Sequence, residues 1–155
     1  MRKISLASDH GGYEQKEAIK NFLLTEGYEV VDFGVDSEES KDYSDFVYPA
    51  AKAVVNDEVD LGIVLCGTGI GASITANKVN GIRCALVTST DVAQLTREHN
   101  DSNVLALAGR TTDLDTNLAI VKTWLETDFS HDERHARRIG TLAKIEEEEQ
   151  CYRET

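Results

Sequence analysis

A chain of 155 residues, 41% of them hydrophobic, has the size of one compact domain burying roughly two-thirds of the surface its unfolded form would expose. Its formal net charge of −12 argues against nucleic acid or an anionic membrane as partner, because either would need a basic face across most of the contact. An anionic substrate must therefore be gripped by a local cluster of cations.

The opening stretch, Met1 to Asp9, has two basic residues but only a short apolar run, so it lacks the hydrophobic segment of a signal peptide. No apolar run approaches membrane-spanning length. Cys66, Cys84 and Cys151 are odd in number and lack metal-type spacing. Such cysteines fit free thiols in a reducing compartment, and the expected location is cytoplasmic.

In chain order, Ile4–Ala7, Glu29–Phe33, Leu61–Leu65, Cys84–Val87 and Val104–Leu107 read as five short strands, most of them apolar on both faces. Helical spacing appears between and after them, in Ala18, Phe22 and Leu23, then Phe46, Ala50 and Val54, then Leu118, Val121 and Leu125. Alternating β and α units predict a three-layer α/β/α Rossmann-like domain with a five-stranded parallel sheet. The segment from Ile139 to Thr155, with its Glu146-Glu147-Glu148-Glu149 run, reads as a C-terminal helix with a solvated end. No repeat, linker or second domain is visible, so residues 1–155 are expected to form a single domain.

Ligands of such sheets gather beyond the carboxyl ends of the strands, and there the polar and glycine-rich residues cluster. In Leu65-Cys66-Gly67-Thr68-Gly69-Ile70-Gly71, a strand stops and a glycine-rich turn opens a helix, so backbone N–H groups can close on an anion or oxyanion. Cys66 would feel the positive end of that helix dipole, which favours thiolate; the plain alternative is a small buried hydrophobe. Gly67, Gly69 and Ala72 also fit a loose dinucleotide fingerprint. That match follows the third strand rather than the first, leaving a non-catalytic nucleotide- or phosphosugar-binding module as the rival from another class.

Asp9-His10-Gly11-Gly12 puts an acid and an imidazole at a helix entry, where they could orient hydroxyls and touch phosphate, or serve as a cap and a surface residue. His99, within Arg97-Glu98-His99-Asn100-Asp101, is expected in a polar loop as an acid–base group or an ordinary exposed histidine. In Arg134-His135-Ala136-Arg137-Arg138, positions four apart bring two guanidinium groups to one helical face, either as a phosphate clamp or as partners of the acidic tail.

Together with Asp42-Tyr43, Ala76-Asn77-Lys78, Gly81-Ile82-Arg83, His99 to Leu105 and Gly109-Arg110, these motifs closely resemble the type B ribose-5-phosphate isomerases, relatives of the galactose- and allose-6-phosphate isomerases. The resemblance runs from Lys3 to about Glu146, with Ser44 where proline often follows the tyrosine and Ala108 in place of a more common glycine. It implies interconversion of ribose 5-phosphate and ribulose 5-phosphate through an enediolate in the non-oxidative pentose phosphate pathway. The same reaction on allose or galactose 6-phosphate is the nearest alternative.

The resemblance further implies Cys66 as the base, Thr68 and the loop amides as enediolate donors, and His99 with Asp9 for ring opening. His10, Arg134 and Arg138 would hold the phosphate, with Arg137 as the alternative to Arg134. Asp9, Tyr43, Gly67, Gly69, Ile70, Gly71, Asn100 and Arg110 would complete the substrate contacts. It implies no metal or organic cofactor, and a homodimer, or a dimer of dimers. Each site would join one Cys66 loop to His99, Asn100 and Arg110 of the neighbour.

Overall fold

The structure, a computed structural model, describes residues 2–154. Among these, β1 (Lys3–Ser8), β2 (Glu29–Asp32), β3 (Leu61–Cys66), β4 (Cys84–Leu86) and β5 (Val104–Ala108) form a parallel sheet in the order β2-β1-β3-β5-β4. Helices α1 (Tyr13–Thr25), α2 (Tyr43–Val55), α3 (Ile70–Asn77) and α4 (Thr90–Asn100) link the strands, α5 (Leu114–Glu126) follows β5, and α6 (Glu133–Glu154) ends the described chain.

The alternation of side chains along each strand builds two cores. Ile4, Leu6, Ile63, Leu65, Leu105 and Leu107 meet Ile19, Leu23, Ala93, Ile120, Val121 and Trp124 from α1, α4 and α5. On the other face Ala7, Val64, Cys66 and Ala106 meet Val47, Ala50, Val54, Ala72 and Ala76 from α2 and α3. Covered on both faces, the three central strands are apolar throughout most of their length, whereas the edge strands β2 and β4 stay partly exposed.

Two features depart from the sequence expectation. α4 shows no long apolar stripe; it buries only Ala93, Thr96 and Arg97. The buried Arg97 is satisfied by Asp101 Oδ1 at 2.9 Å, Ser102 O at 2.5 Å and Thr127 O at 3.2 Å, and its guanidinium lies 5.7 Å from the Trp124 ring centre. α6 begins at Glu133 rather than near Ile139, so the arginine cluster and the acidic tail share one helix.

Lys16, 1% exposed, donates to Asp32 Oδ2 and Glu17 Oε1, each at 2.7 Å, and Lys20 adds a 3.1 Å bond to Asp32. Burial alone would lower the Lys16 pKa, but its bonds to Asp32 and Glu17 prevail and raise it above 10.5. Burial would likewise raise Asp32, but Lys16, the Gly34 amide and Lys20 prevail and hold it below 3.8. A depressed carboxyl contributes stability that is present above its unfolded value and lost as pH falls through its folded one; a raised ammonium contributes stability lost as pH climbs past about 10.5. The pair should therefore contribute fully between about pH 5 and pH 9. In that window Asp32→Ala, which leaves the buried ammonium only Glu17, should lower the urea unfolding free energy by about 3 kcal/mol. An unchanged midpoint would remove the pair from the account of stability.

Candidate active site

β1 and β3 lie side by side in register, Ile4 against Leu61 through Ser8 against Leu65, yet β1 leads into α1 on one face and β3 into α3 on the other. Diverging connections open a crevice beyond the carboxyl ends of the two strands. Asp9 N–H donates to Leu65 O at 3.3 Å, and Asp9 Oδ1 accepts from Gly11 N–H at 2.8 Å, capping the short 3-10 turn His10–Gly12. Asp9 is thus both a cap and a carboxylate at the crevice, 7% exposed.

The His10 ring takes its position from Lys41, whose N–H donates to Nδ1 at 3.1 Å. In that arrangement the neutral imidazole carries its proton on Nε2, free for an anion; a ring protonated at Nδ1 would instead donate to Lys41 O at 3.2 Å.

Opposite stands the loop after β3. Cys66 ends the strand, 5% exposed, with its carbonyl held by Gly109 N–H at 2.8 Å. Gly67 O accepts from the N–H groups of Arg110 at 2.9 Å and Thr111 at 3.3 Å. Gly69 is the N-cap of α3 at φ +79°, and a Cβ there would lie 3.0 Å from the Leu107 backbone, so glycine is required by conformation and by space. Thr68 Oγ1 accepts from Ile70 N–H at 3.3 Å, while the remaining amides of the first turn of α3, including that of Gly71, have no acceptor within the helix. The Tyr43 ring lies so close to Gly71 that a Cβ there would sit 2.7 Å from its Cζ.

Arg110 belongs to this same cluster. Its Cζ lies 3.3 Å from the position of a Cβ on Gly11, and its Cδ 3.5 Å from one on Gly67. The expectation that Arg110 reaches the Cys66 loop from a neighbouring subunit is therefore corrected: the hydrogen bonds of Arg110 and Thr111 to Gly67 O lock the two loops together within one chain. Two amides unrecognised in the sequence brace this arrangement. Gln15 Nε2 donates to Gly109 O and Thr112 O, and buried Asn117 donates to Gln15 Oε1 and Ala108 O. Their signal was unreadable because Gln15 meets main-chain carbonyls 94 and 97 positions away and Asn117 meets the Gln15 side chain 102 positions away, contacts that no local pattern marks.

A second cluster lies elsewhere. His99 sits in the last turn of α4, not in a loop, because the helix continues to Asn100 and ends on Asp101 in the left-handed region at φ 45°. α4 starts after the carboxyl end of β4 and returns to the opposite edge, where Arg83 Nε donates to Asn100 O and Asn103 N–H donates to Arg83 O. The length of a strand, roughly 17 Å, thus separates His99 and Asn100 from Cys66 within the chain. Beside them runs the start of α6 with Arg134, Arg137 and Arg138; His135 stacks on His99 with ring centres 4.3 Å apart. Arg134 also reaches Asp132 at 3.6 Å, on the surface.

The family profile described as Ribose/Galactose Isomerase matches residues 4–142. The chain belongs to the ribose/galactose isomerase family. A putative sugar phosphate isomerase of Bacillus subtilis is 47% identical over 146 residues, 94% of this chain and 97% of that protein. The solved ribose-5-phosphate isomerase B of Clostridium thermocellum is 52% identical with a TM-score of 0.92, covering 94% of this chain and 98% of its own. That of Mycoplasma genitalium, solved with bound ribulose 5-phosphate, is 40% identical with a TM-score of 0.89, covering 94% and 97%. Membership of the ribose/galactose isomerase family and the Rossmann-like expectation agree with the sheet described above. No helix among the described residues is long and apolar enough to cross a membrane.

Gly69→Ala should lower the unfolding free energy by about 2 kcal/mol, because an L side chain meets both a left-handed backbone and the Leu107 main chain. It should also slow turnover by at least about tenfold through displacement of the first turn of α3. Thermal denaturation and an isomerase assay on the same preparation test both, and wild-type values in each would contradict the stated need for glycine.

Proposed function

We propose that this chain is an aldose–ketose isomerase interconverting D-ribose 5-phosphate and D-ribulose 5-phosphate through an enediolate. The observation that carries the reading is the glycine-rich Cys66 loop facing Asp9 and His10 across the β1–β3 crevice, in a chain 52% identical to a solved ribose-5-phosphate isomerase B. Bound ribulose 5-phosphate in the Mycoplasma genitalium relative favours a pentose over a hexose phosphate as substrate, and a phosphosugar over a nucleotide.

The chemistry follows in three parts. Ring opening breaks the bond between C1 and the ring oxygen: that oxygen takes a proton, and the C1 hydroxyl loses one as the aldehyde forms. His99 and Asp9 carry these transfers. Cys66, as thiolate, then removes the C2 proton, and the electron pair forms the C1–C2 double bond of an enediolate. Its developing charge is met by the Thr68 hydroxyl and the amides of Gly67, Gly69, Ile70 and Gly71. Transfer of the O2 proton to O1 and return of a proton from the Cys66 thiol to C1 leave a C1 hydroxymethyl group and the ketone at C2.

Phosphate held by His10, Arg134 and Arg138, away from the reacting carbons, supplies binding energy that orients them. Tyr43, Asn100 and Arg110 complete the contacts.

The reading calls for two copies of the chain. His99, Asn100, Arg134 and Arg138 lie near the amino edge of the sheet and Cys66 at the carboxyl edge, so a single chain does not bring them to one sugar. A two-fold dimer would give each site one Cys66 loop, with its own Arg110, and the His99 cluster of the neighbour. Exposed Ile70 and Ile74 of α3, Val92 and Leu95 of α4, and Leu142 and Ile145 of α6 offer apolar surface for such a contact.

Cys66→Ala should abolish turnover of ribose 5-phosphate and exchange of its C2 proton into deuterated water while preserving the fold. Normal turnover by that variant would refute Cys66 as the base. Assembly is tested by refolding a mixture of Cys66→Ala and His99→Asn chains, each inactive alone. Random pairing makes about half the dimers mixed, and about one site in four should then regain activity. Continued inactivity, with mixed dimers confirmed by native mass spectrometry, would overturn the shared site but leave the isomerase reading intact.

A further inference from the structure

The proposed chemistry leaves His135 without a role, although it is the one buried residue of α6, most of which is exposed. It is 6% exposed, and its ring lies 4.3 Å from that of His99 at an interplanar angle of 35°. Nδ1 is 2.8 Å from Ser130 Oγ. That oxygen already accepts Asp132 N–H at 3.1 Å, and the Ser130 N–H donates to Glu98 O at 3.2 Å, which ties the segment to the residue beside His99. Having accepted from the main chain, Ser130 Oγ keeps one proton to donate and one lone pair to accept, so it anchors Nδ1 of the neutral His135 ring in either tautomer.

The charged and titratable groups around His135 are Arg134, Arg138 and Asp132 of its own segment and His99 of α4. Burial, followed by His99, Arg134 and Arg138, pushes its pKa below the ordinary histidine value, with Asp132 opposing.

We propose that His135 is a positioning residue for sugar ring opening: a neutral ring, anchored by Ser130, against which His99 is stacked and oriented. The inference rests on the reading of His99 as the ring-opening group. His99 must gain and lose a proton in each cycle. A charged neighbour at 4.3 Å would oppose its cationic form, and a missing neighbour would free its ring to rotate. A stacked neutral imidazole avoids both.

Ring opening can be separated from enediolate chemistry, because ribulose 5-phosphate cannot close a five-membered ring through its phosphorylated O5. Exchange of its C1 protons into deuterated water needs the base and the oxyanion donors but no ring step. His135→Ala should slow net interconversion with ribose 5-phosphate by about tenfold or more, while C1 exchange stays within about threefold of wild type. His135→Phe keeps a neutral ring packed beside His99, although without the Ser130 bond, and because it is the stacked ring that orients His99 it should restore interconversion to within about threefold, so the proposal does not depend on the folding of the alanine variant.

His99→Asn runs in parallel and should lose interconversion while retaining exchange. If it does, but His135→Ala is normal, or loses exchange and interconversion together, or His135→Phe fails to rescue, the positioning role is overturned and the site reading survives. If His99→Asn shows no selective loss, the role of His99 falls, and that of His135 with it.

Discussion

Two neighbouring parallel strands whose chains depart toward opposite faces set the conditions for everything else in this molecule. β1 and β3 share five registered pairs, and at the end of that register one connection turns toward α1 and the other toward α3. Main-chain groups released from the sheet there must find new partners. Several find one another: Asp9 N–H with Leu65 O, Gly109 N–H with Cys66 O, Arg110 N–H with Gly67 O. The crevice is therefore lined by backbone fixed by other backbone, which explains its need for small residues.

The sequence shows this end of the molecule well. Apolar runs on both faces reveal β1, β3 and β5, and the glycines after β3 announce a loop where backbone approaches closely. Asp9, His10, Cys66 and Thr68 are legible because polar or nucleophilic residues and turn-forming glycines stand side by side in two short runs. The far end is harder to read. α4 hides because its buried surface includes a charged Arg97, whose satisfaction depends on Ser102, Thr127 and Trp124, residues that no local period connects. His99 consequently reads as a loop residue, although helical geometry directs it toward α6.

The same contrast explains Arg110 and His135. A resemblance names Arg110 as a substrate contact, but only its packing against Gly11 and Gly67 says which loop it serves. His135 stands in the sequence between residues that attract attention for their charge, and its burial becomes visible only when Ser130 and His99 are brought beside it. Motifs expose residues that act together locally, whereas a residue supported by a different element has no such mark.

Cys84 has a consequence for the chemical durability of the chain. Cys84 is part-buried on the edge strand, and its loss of solvent there pushes the thiol up to about 12, which disfavours the thiolate near neutrality. Oxidants and alkylating reagents attack the thiolate, and a sulfur held as thiol is spared the first step toward sulfenic acid or a mixed disulfide. A covalent thiol modification of this chain near neutrality is thus expected at the exposed Cys151 before Cys84 of β4.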